Sequence, residues 1–128
     1  MQHIEDNEQI ILFQWAQLQS GKFPELEMLY HIPNGGKRSK AEASRFKAMG
    51  VKAGVPDLCL PVPRGEYHGL YIELKAASGR TSAKQNEWLE WLSSNGYKTA
   101  VCYGWEQAAV AIKSYLIQKE IRGLYDDN

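Results

Sequence analysis

Two acidic residues and a lysine stand at a spacing that could do chemistry. Asp57 is separated by fifteen residues from Glu73, which is followed by Leu74 and Lys75. Carboxylates that lie close together repel each other without a cation, and such oxygen ligands suit a hard divalent ion, Mg²⁺ or Mn²⁺. The backbone carbonyl of Leu74 could complete the ligand set, and the Lys75 ammonium could orient a water or stabilise charge on a phosphate. The pattern therefore contains the minimum required for metal-assisted phosphodiester hydrolysis.

The same residues also fit a plain structural explanation. Glu73 and Lys75 are two residues apart, so they share one face of a predicted strand. A solvated strand face with a cross-strand ion pair accounts for them equally simply. The spacing taken by itself favours this structural explanation.

The elements that would position these residues alternate along the chain. Apolar periodicity and breaker residues predict helices over 4–19, 39–49, 82–94 and 106–119, and strands over 26–32, 57–62, 70–75 and 99–103. This order predicts a mixed α/β fold with one central sheet and helices on its faces. If the second and third strands pair antiparallel through the 63–69 connection, Asp57 approaches Glu73.

The first predicted helix carries a carboxylate within its apolar row. Ile4, Ile11, Trp15 and Leu18 recur at helical spacing, and Glu8 falls in the same row. An acid near a helix start is ordinarily stabilised by the helix dipole. The phase of Glu8 nevertheless makes it a candidate for a buried site.

Composition limits the class of protein. The chain has 128 residues, of which 44% are hydrophobic and 23% charged, so we expect one globular domain over 1–128, with a core of about 4–119 and a loose C-terminal tail. Fifteen basic residues balance fifteen acidic ones, which excludes a general polycation. Residues 37–52 nevertheless hold six bases against one acid, and a solvated helix face is the ordinary explanation of such a run.

Targeting signals are not apparent in the sequence. No apolar run approaches the roughly 20 residues of a membrane span, and the first residues carry no signal-peptide pattern, so we expect no membrane association and a cytoplasmic location. Cys59 and Cys102 lie in apolar runs, which predicts buried free thiols rather than a disulfide or metal pair.

Four segments and an early glutamate together resemble the VRR-NUC (virus-type replication-repair nuclease) family of the PD-(D/E)xK nuclease superfamily. The segments are IPNGGKR at 32–38, GVKAGVPDL at 50–58, YIELK at 71–75 and SAKQNEWLEWL at 82–92, and the glutamate is Glu8. The resemblance extends from about residue 8 to residue 119 and is to the stand-alone form of phages and bacteria. It implies a restriction-endonuclease-like fold and a Mg²⁺- or Mn²⁺-dependent endodeoxyribonuclease without an organic cofactor.

The resemblance also implies a role for each matching residue. Asp57 and Glu73 would be metal ligands, and Lys75 would be the catalytic lysine. Gln85 would lie close to the active site, near a phosphate or its water. Glu8 would be the acid of the first helix, reaching the metal or its waters.

Several residues keep structural alternatives. Gln85 stands three residues after Ser82, so a capping-box role is as good an explanation as a catalytic one. For Trp88 and Trp91, a core or subunit-interface role is favoured over base stacking. The histidines are expected to be structural or exposed; they are His3, His31 and His68. Four basic residues are candidates for phosphate contacts and equally for surface charge: Lys37, Arg38, Lys52 and Lys84.

The implied substrate is branched DNA. A four-way junction has two-fold symmetry and needs two cuts, which a homodimer supplies from one gene. The resemblance accordingly implies Holliday-junction resolution by a homodimer, as part of DNA recombination and repair. The alternatives are a flap or other branched-DNA endonuclease, a restriction-like or RNA-directed activity, and a non-catalytic DNA-binding module.

Overall fold

A mixed four-stranded sheet with helices on both faces forms the protein. The computed structural model describes residues 2–33 and 39–118. In chain order the elements are α1 (Gln2–Gln19), a 3₁₀-helix (Pro24–Met28), β1 (Tyr30–His31), α2 (Lys40–Ala48), β2 (Leu58–Leu60), β3 (Leu70–Lys75), α3 (Ala83–Ser94), β4 (Lys98–Tyr103) and α4 (Trp105–Leu116). The strand order is β1-β2-β3-β4, in which β1, β2 and β3 are antiparallel and β3 and β4 are parallel. The predicted α/β class is confirmed.

Strand β3 separates the hydrophobic core from the polar face of the sheet. Leu70, Ile72 and Leu74 are buried on the face that α1 and α4 cover. Glu73 and Lys75 alternate with them and project from the opposite face, where α3 lies. The period of two along β3 therefore places an apolar core on one side and the charged pair on the other.

The buried face of α1 differs from the prediction. Ile4, Ile11 and Leu18 are 49%, 38% and 82% exposed. Of the predicted row, Trp15 packs against the core, together with Leu12 beside it and Ala16, which are buried against the sheet and α4. This helix is apolar on more than one side, so periodicity alone could not select the stripe that packs. Contact with α4 decides the phase, and it turns the carboxylates of α1 at positions 5 and 8 toward the interior side.

The strand predicted over 26–32 is also mostly wrong. Residues 24–28 form a 3₁₀-helix that begins at Pro24, and only Tyr30 and His31 pair with β2. Proline fixes φ near the helical value at the start of a turn. Leu26 and Leu29, three residues apart as in a 3₁₀-helix, are the buried members of this run.

The prediction for the two cysteines agrees with the structure. Both cysteines are buried and free of disulfides. Within residues 2–33 and 39–118, no helix has the length and apolar character needed to cross a bilayer.

The segment from α2 to β2 touches α3 closely at one glycine. Gly54 has φ of +88°, and a Cβ there would lie 2.8 Å from the Lys84 Cβ and 2.9 Å from its carbonyl carbon. Gly50 also has a positive φ, +99°, but no atom within 4 Å of a Cβ position. Glycine is therefore required at 54 for two reasons, backbone conformation and space.

Substitution of these glycines separates the two effects. We expect Gly50→Ala to cost about 1 kcal/mol of unfolding free energy from backbone strain, and Gly54→Ala to cost about 2–3 kcal/mol because of the added clash. Urea unfolding measures both. Gly21→Ala is the control, since a Cβ there meets nothing within 4 Å; equal costs at 50 and 54 would contradict the close contact with α3.

Candidate active site

Asp57, Glu73 and Lys75 come together at the point where β2 begins. Leu58 pairs with Ile72, and continuing this antiparallel register sets Asp57 opposite Glu73. On the Glu73 side, the Lys75 ammonium lies 3.5 Å from Oε2 of the carboxylate. Strands β2 and β3 and the connection between them are thus sufficient to bring together the three side chains that the sequence analysis identified.

The backbone of Leu74 faces the same place. Its N–H donates a hydrogen bond of 2.8 Å to Oδ2 of Asp57. In a β-strand the N–H and C=O of one residue point to the same edge, so the Leu74 carbonyl also faces the Asp57 side. The predicted third ligand therefore has a suitable orientation.

Burial perturbs the protonation of Glu73 strongly. Glu73 is 2% exposed, and its Oε1 has no hydrogen-bond partner. Desolvation, followed by repulsion from Asp57, raises the pKa of Glu73 to about 8, although Lys75 acts in the opposite direction. Without a cation, burial and the neighbouring Asp57 charge therefore favour the protonated form of this carboxyl group.

The pKa of Asp57 is raised for a related reason. Burial is the largest cause, and the hydrogen bond from Leu74 opposes it. The charge of Glu5 adds to the rise, which indicates that this carboxylate of α1 is near the pair. A site that accumulates partly buried acids in this way favours a bound cation.

Gln85 forms a capping box and also contacts Glu73. Its Oε1 accepts a 2.8 Å hydrogen bond from the Ser82 N–H, and its own N–H donates to Ser82 Oγ at 3.2 Å, which completes a capping box. Its Nε2 donates to Oε2 of Glu73 at 3.1 Å. The structural explanation and the proximity to the site therefore hold together, while a catalytic role for Gln85 remains a prediction.

The two glutamates of α1 have different surroundings. Glu8 Oε1 accepts a 3.2 Å hydrogen bond from the Trp105 N–H, in the first turn of α4. That position suits an anion, because the turn presents unpaired N–H groups and the positive end of the helix dipole. Glu5 accepts a 3.3 Å hydrogen bond from the Ala76 N–H, directly after Lys75. The predicted metal role of Glu8 thus stays a prediction, and Glu5 becomes an additional candidate.

Sequence reasoning missed Glu5. Positions 5, 8, 12 and 16 lie on the side of α1 that faces the interior, so Glu5 belongs to this side. The sequence prediction used the apolar row that contains Ile4 and Ile11 instead, and Glu5 is not in that row. His31 Nδ1 lies 3.0 Å from the backbone carbonyl of Asp57. His31 is exposed, in agreement with the prediction that it is structural or exposed.

The candidate phosphate-binding residues are less defined. Lys52 and Lys84 are exposed, and Lys84 Nζ lies 3.7 Å from Glu87. Lys37 and Arg38 fall outside the described residues. Their DNA-binding roles stay predictions.

The tryptophans of α3 do not form the core. Trp91 is 58% exposed, and its ring packs edge-on against Trp88 at a centroid distance of 6.5 Å. Only Leu92 of this helix is buried. The core alternative is therefore wrong for Trp91, and the subunit-interface alternative remains.

Comparison with known proteins identifies the family. The sequence profile of the VRR-NUC domain matches residues 4–106. The chain belongs to the VRR-NUC family. The structure is similar to a solved "VRR_NUC domain protein", with 34% sequence identity, a TM-score of 0.77, and coverage of 91% of this chain and 90% of the other. A comparison with functionally curated proteins returned no match. This VRR-NUC chain is therefore a nuclease domain with a restriction-endonuclease-like fold.

The residues of this VRR-NUC site fit a divalent cation. The orphaned Oε1 of Glu73 is a buried acceptor without a donor, and Asp57 adds a second carboxylate. No group of three His, Cys, Asp or Glu residues with metal-binding geometry occurs in the part of the chain that the structure describes. A cation here would accordingly rely on two carboxylates and the Leu74 carbonyl, with water as the remaining ligand.

The raised pKa of Glu73 predicts a pH-dependent stability without metal. Between pH 4.5 and 8 the folded chain holds a proton on Glu73 that the unfolded chain releases, so stability falls as pH rises, by at most about 1.4 kcal/mol per pH unit. Glu73→Gln removes this contribution, so its advantage over wild type should grow across this range. Urea unfolding in a chelator measures it, with the exposed Glu90→Gln as control. Parallel pH profiles for wild type and Glu73→Gln would mean that Glu73 is ionised when folded.

Proposed function

We propose that the protein is a divalent-metal-dependent endonuclease that cuts branched DNA. The observation that carries the proposal is the convergence of Asp57, Glu73 and Lys75, with one Glu73 oxygen buried and unpaired. Membership of a nuclease family supports the same chemistry. The substrate class and the metal dependence extend beyond that membership.

The chain's own residues would divide the work. Asp57, Glu73 and the Leu74 carbonyl would hold Mg²⁺ or Mn²⁺, which supplies Lewis acidity toward a phosphoryl oxygen. Lys75, 3.5 Å from Glu73, would orient the attacking water or stabilise the charge that develops on the phosphate. Gln85 would keep the Glu73 carboxylate in position through its 3.1 Å hydrogen bond.

We propose a homodimer acting on four-way junctions. A single domain of 128 residues offers one such site, whereas symmetric resolution requires two. The exposed Trp91, beside Trp88, supports an interface on α3, since large exposed aromatics are typical of the centres of protein interfaces. This surface lines a depression of about 570 Å³.

Cleavage of defined DNA substrates tests the activity. With Mg²⁺ or Mn²⁺, we expect cleavage of a four-way junction by two symmetric cuts, and no cleavage in a chelator. Asp57→Asn and Glu73→Gln should each reduce the rate at least about a hundredfold, because each removes a charged ligand, and Lys75→Met should reduce it about 10²–10⁴-fold. Glu27→Gln, an exposed position on the 3₁₀-helix away from both the site and the proposed interface, should retain the wild-type rate.

The outcomes distinguish the alternatives. Cleavage of flaps with junctions left intact would replace the substrate while preserving the chemistry. Binding of DNA without cleavage under any metal condition would support the non-catalytic module. Light scattering with and without the junction reports the mass, and a persistent monomer of 14.5 kDa would overturn the dimer.

We also propose that Glu5 is the α1 acid that serves the metal site. Its charge contributes to the raised pKa of Asp57, which is caused mainly by burial, and its carboxylate is tied to the Ala76 N–H. Glu8, by contrast, is bound to the start of α4. Glu5 would reach the metal through water, which is the role that the sequence analysis predicted for Glu8.

Paired substitutions separate the two glutamates. Glu5→Gln keeps an oxygen acceptor for Ala76 but removes the charge, so we expect slower cleavage, by about tenfold or more, at nearly unchanged stability. Glu8→Ala removes an acceptor at the α4 terminus and should cost about 1 kcal/mol of stability. Urea unfolding and cleavage rates at saturating metal are compared for both variants. The reverse pattern, with activity lost at Glu8 and retained at Glu5, would restore the sequence-based assignment.

A further inference from the structure

Helix α2 carries positive charge without contributing to the core. None of its described residues is buried. Lys40, Arg45 and Lys47 stand against one acid, Glu42, and these three bases form no ion pair within residues 2–33 and 39–118. A nine-residue helix is too short to be stable on propensity alone, and packing normally stabilises such helices. An exposed basic helix of this kind is accessible to a partner of opposite charge.

The topology anchors the segment that contains α2 at both ends near the candidate active site. Strands β1 and β2 are antiparallel neighbours, and the connection between them contains α2. At one end of this connection the Ile32 N–H donates to the Asp57 carbonyl at 2.7 Å. At the other end Gly54 lies against the backbone of Lys84, one residue before Gln85. Both ends of the segment are therefore fixed at the catalytic edge of the sheet.

The residues of one α2 face suit close contact with a phosphate backbone. Lys40 and Lys47 are seven residues apart, so they lie on the same side of the helix, about 10 Å apart along its axis. Between them this side carries only Ala43 and Ser44, which leave room for close approach. It has no Arg, Asn or Gln, whose planar groups make paired contacts with base edges, and a lysine ammonium binds a phosphate as a point charge.

We infer that α2 is a docking arm for the phosphate backbone of duplex DNA, with Lys40 and Lys47 as its principal contacts. The inference rests on the proposed DNA substrate and adds a surface that orients the duplex beside the carboxylates. Because Lys40 and Lys47 would contact phosphates alone, the arm would bind independently of sequence and would not take part in the chemical step.

Neutralising the arm provides the test. The double variant Lys40→Gln/Lys47→Gln keeps good helix formers and removes two charges. Affinity for a linear duplex is measured by fluorescence anisotropy in a chelator over a series of salt concentrations. We expect about tenfold or greater weakening at low salt, and a fall of nearly 2 in the slope of log affinity against log salt, since each phosphate contact contributes about 0.9.

Controls separate this role from general charge and from folding. The variant Lys22→Gln/Lys113→Gln removes two exposed charges elsewhere, one in the turn before the 3₁₀-helix and one on α4. It should leave the slope of log affinity against log salt unchanged. Lys40→Arg/Lys47→Arg should restore affinity. In cleavage, the neutral variant should raise KM and preserve kcat at saturating DNA.

Each result bears on one proposal at a time. A wild-type salt slope in the neutral variant would overturn the docking arm, even if the protein cuts DNA. Competition by poly-glutamate as effective as by duplex would overturn it in favour of an acidic protein partner. Duplex binding that depends on the arm, in a protein that cleaves nothing, would support the arm and reject the proposed activity.

Discussion

Repulsion between the carboxylates of Asp57 and Glu73, which are shielded from solvent, is the constraint on which the site depends. Glu73 is fixed within β3, and Asp57, directly before β2, is held beside it by hydrogen bonds from the Leu74 and Ile32 N–H groups. The fold tolerates this arrangement by leaving a proton on Glu73 and by supplying the Lys75 ammonium and the Gln85 amide. A divalent cation would relieve the same repulsion more completely. The repulsion between the two carboxylates in the metal-free state thus favours binding of the divalent cation that the proposed phosphodiester hydrolysis requires.

The hydrophobic core supports this arrangement from the other face of the sheet. Leu70, Ile72 and Leu74 bind β3 to α1 and α4, and they leave only the alternate residues for chemistry. Helix α4 begins immediately after β4, and Glu8 of α1 is bound at this start. The Gly104 N–H donates to the Lys75 carbonyl at 3.1 Å, so the α4 terminus also adjoins the lysine. The packing of α1 and α4 on the sheet and the candidate active site are therefore adjacent at the ends of β3 and β4.

Much of this could be predicted from the sequence, and the failures have physical causes. The order of helices and strands predicted an α/β sheet, and the alternation along 70–75 with the 63–69 connection predicted the approach of Asp57 to Glu73. Periodicity failed for α1, because apolar residues on several sides leave the buried phase to tertiary contact, and Glu5 was missed with it. The capping and site roles of Gln85 could not be separated in the sequence, since one side chain serves both.

The amide of Gln85 has a consequence for which side chains position 85 can accept. Its oxygen fixes the first turn of α3, and its nitrogen fixes a Glu73 oxygen on another element. Glutamate could keep the capping contact, but it would bring a further negative charge to the carboxylates. Asparagine, one methylene shorter, could not reach both partners from the same backbone. The first turn of α3 and the Glu73 carboxylate are thus coupled through Gln85. A substitution at this position would therefore alter helix initiation and carboxylate orientation together.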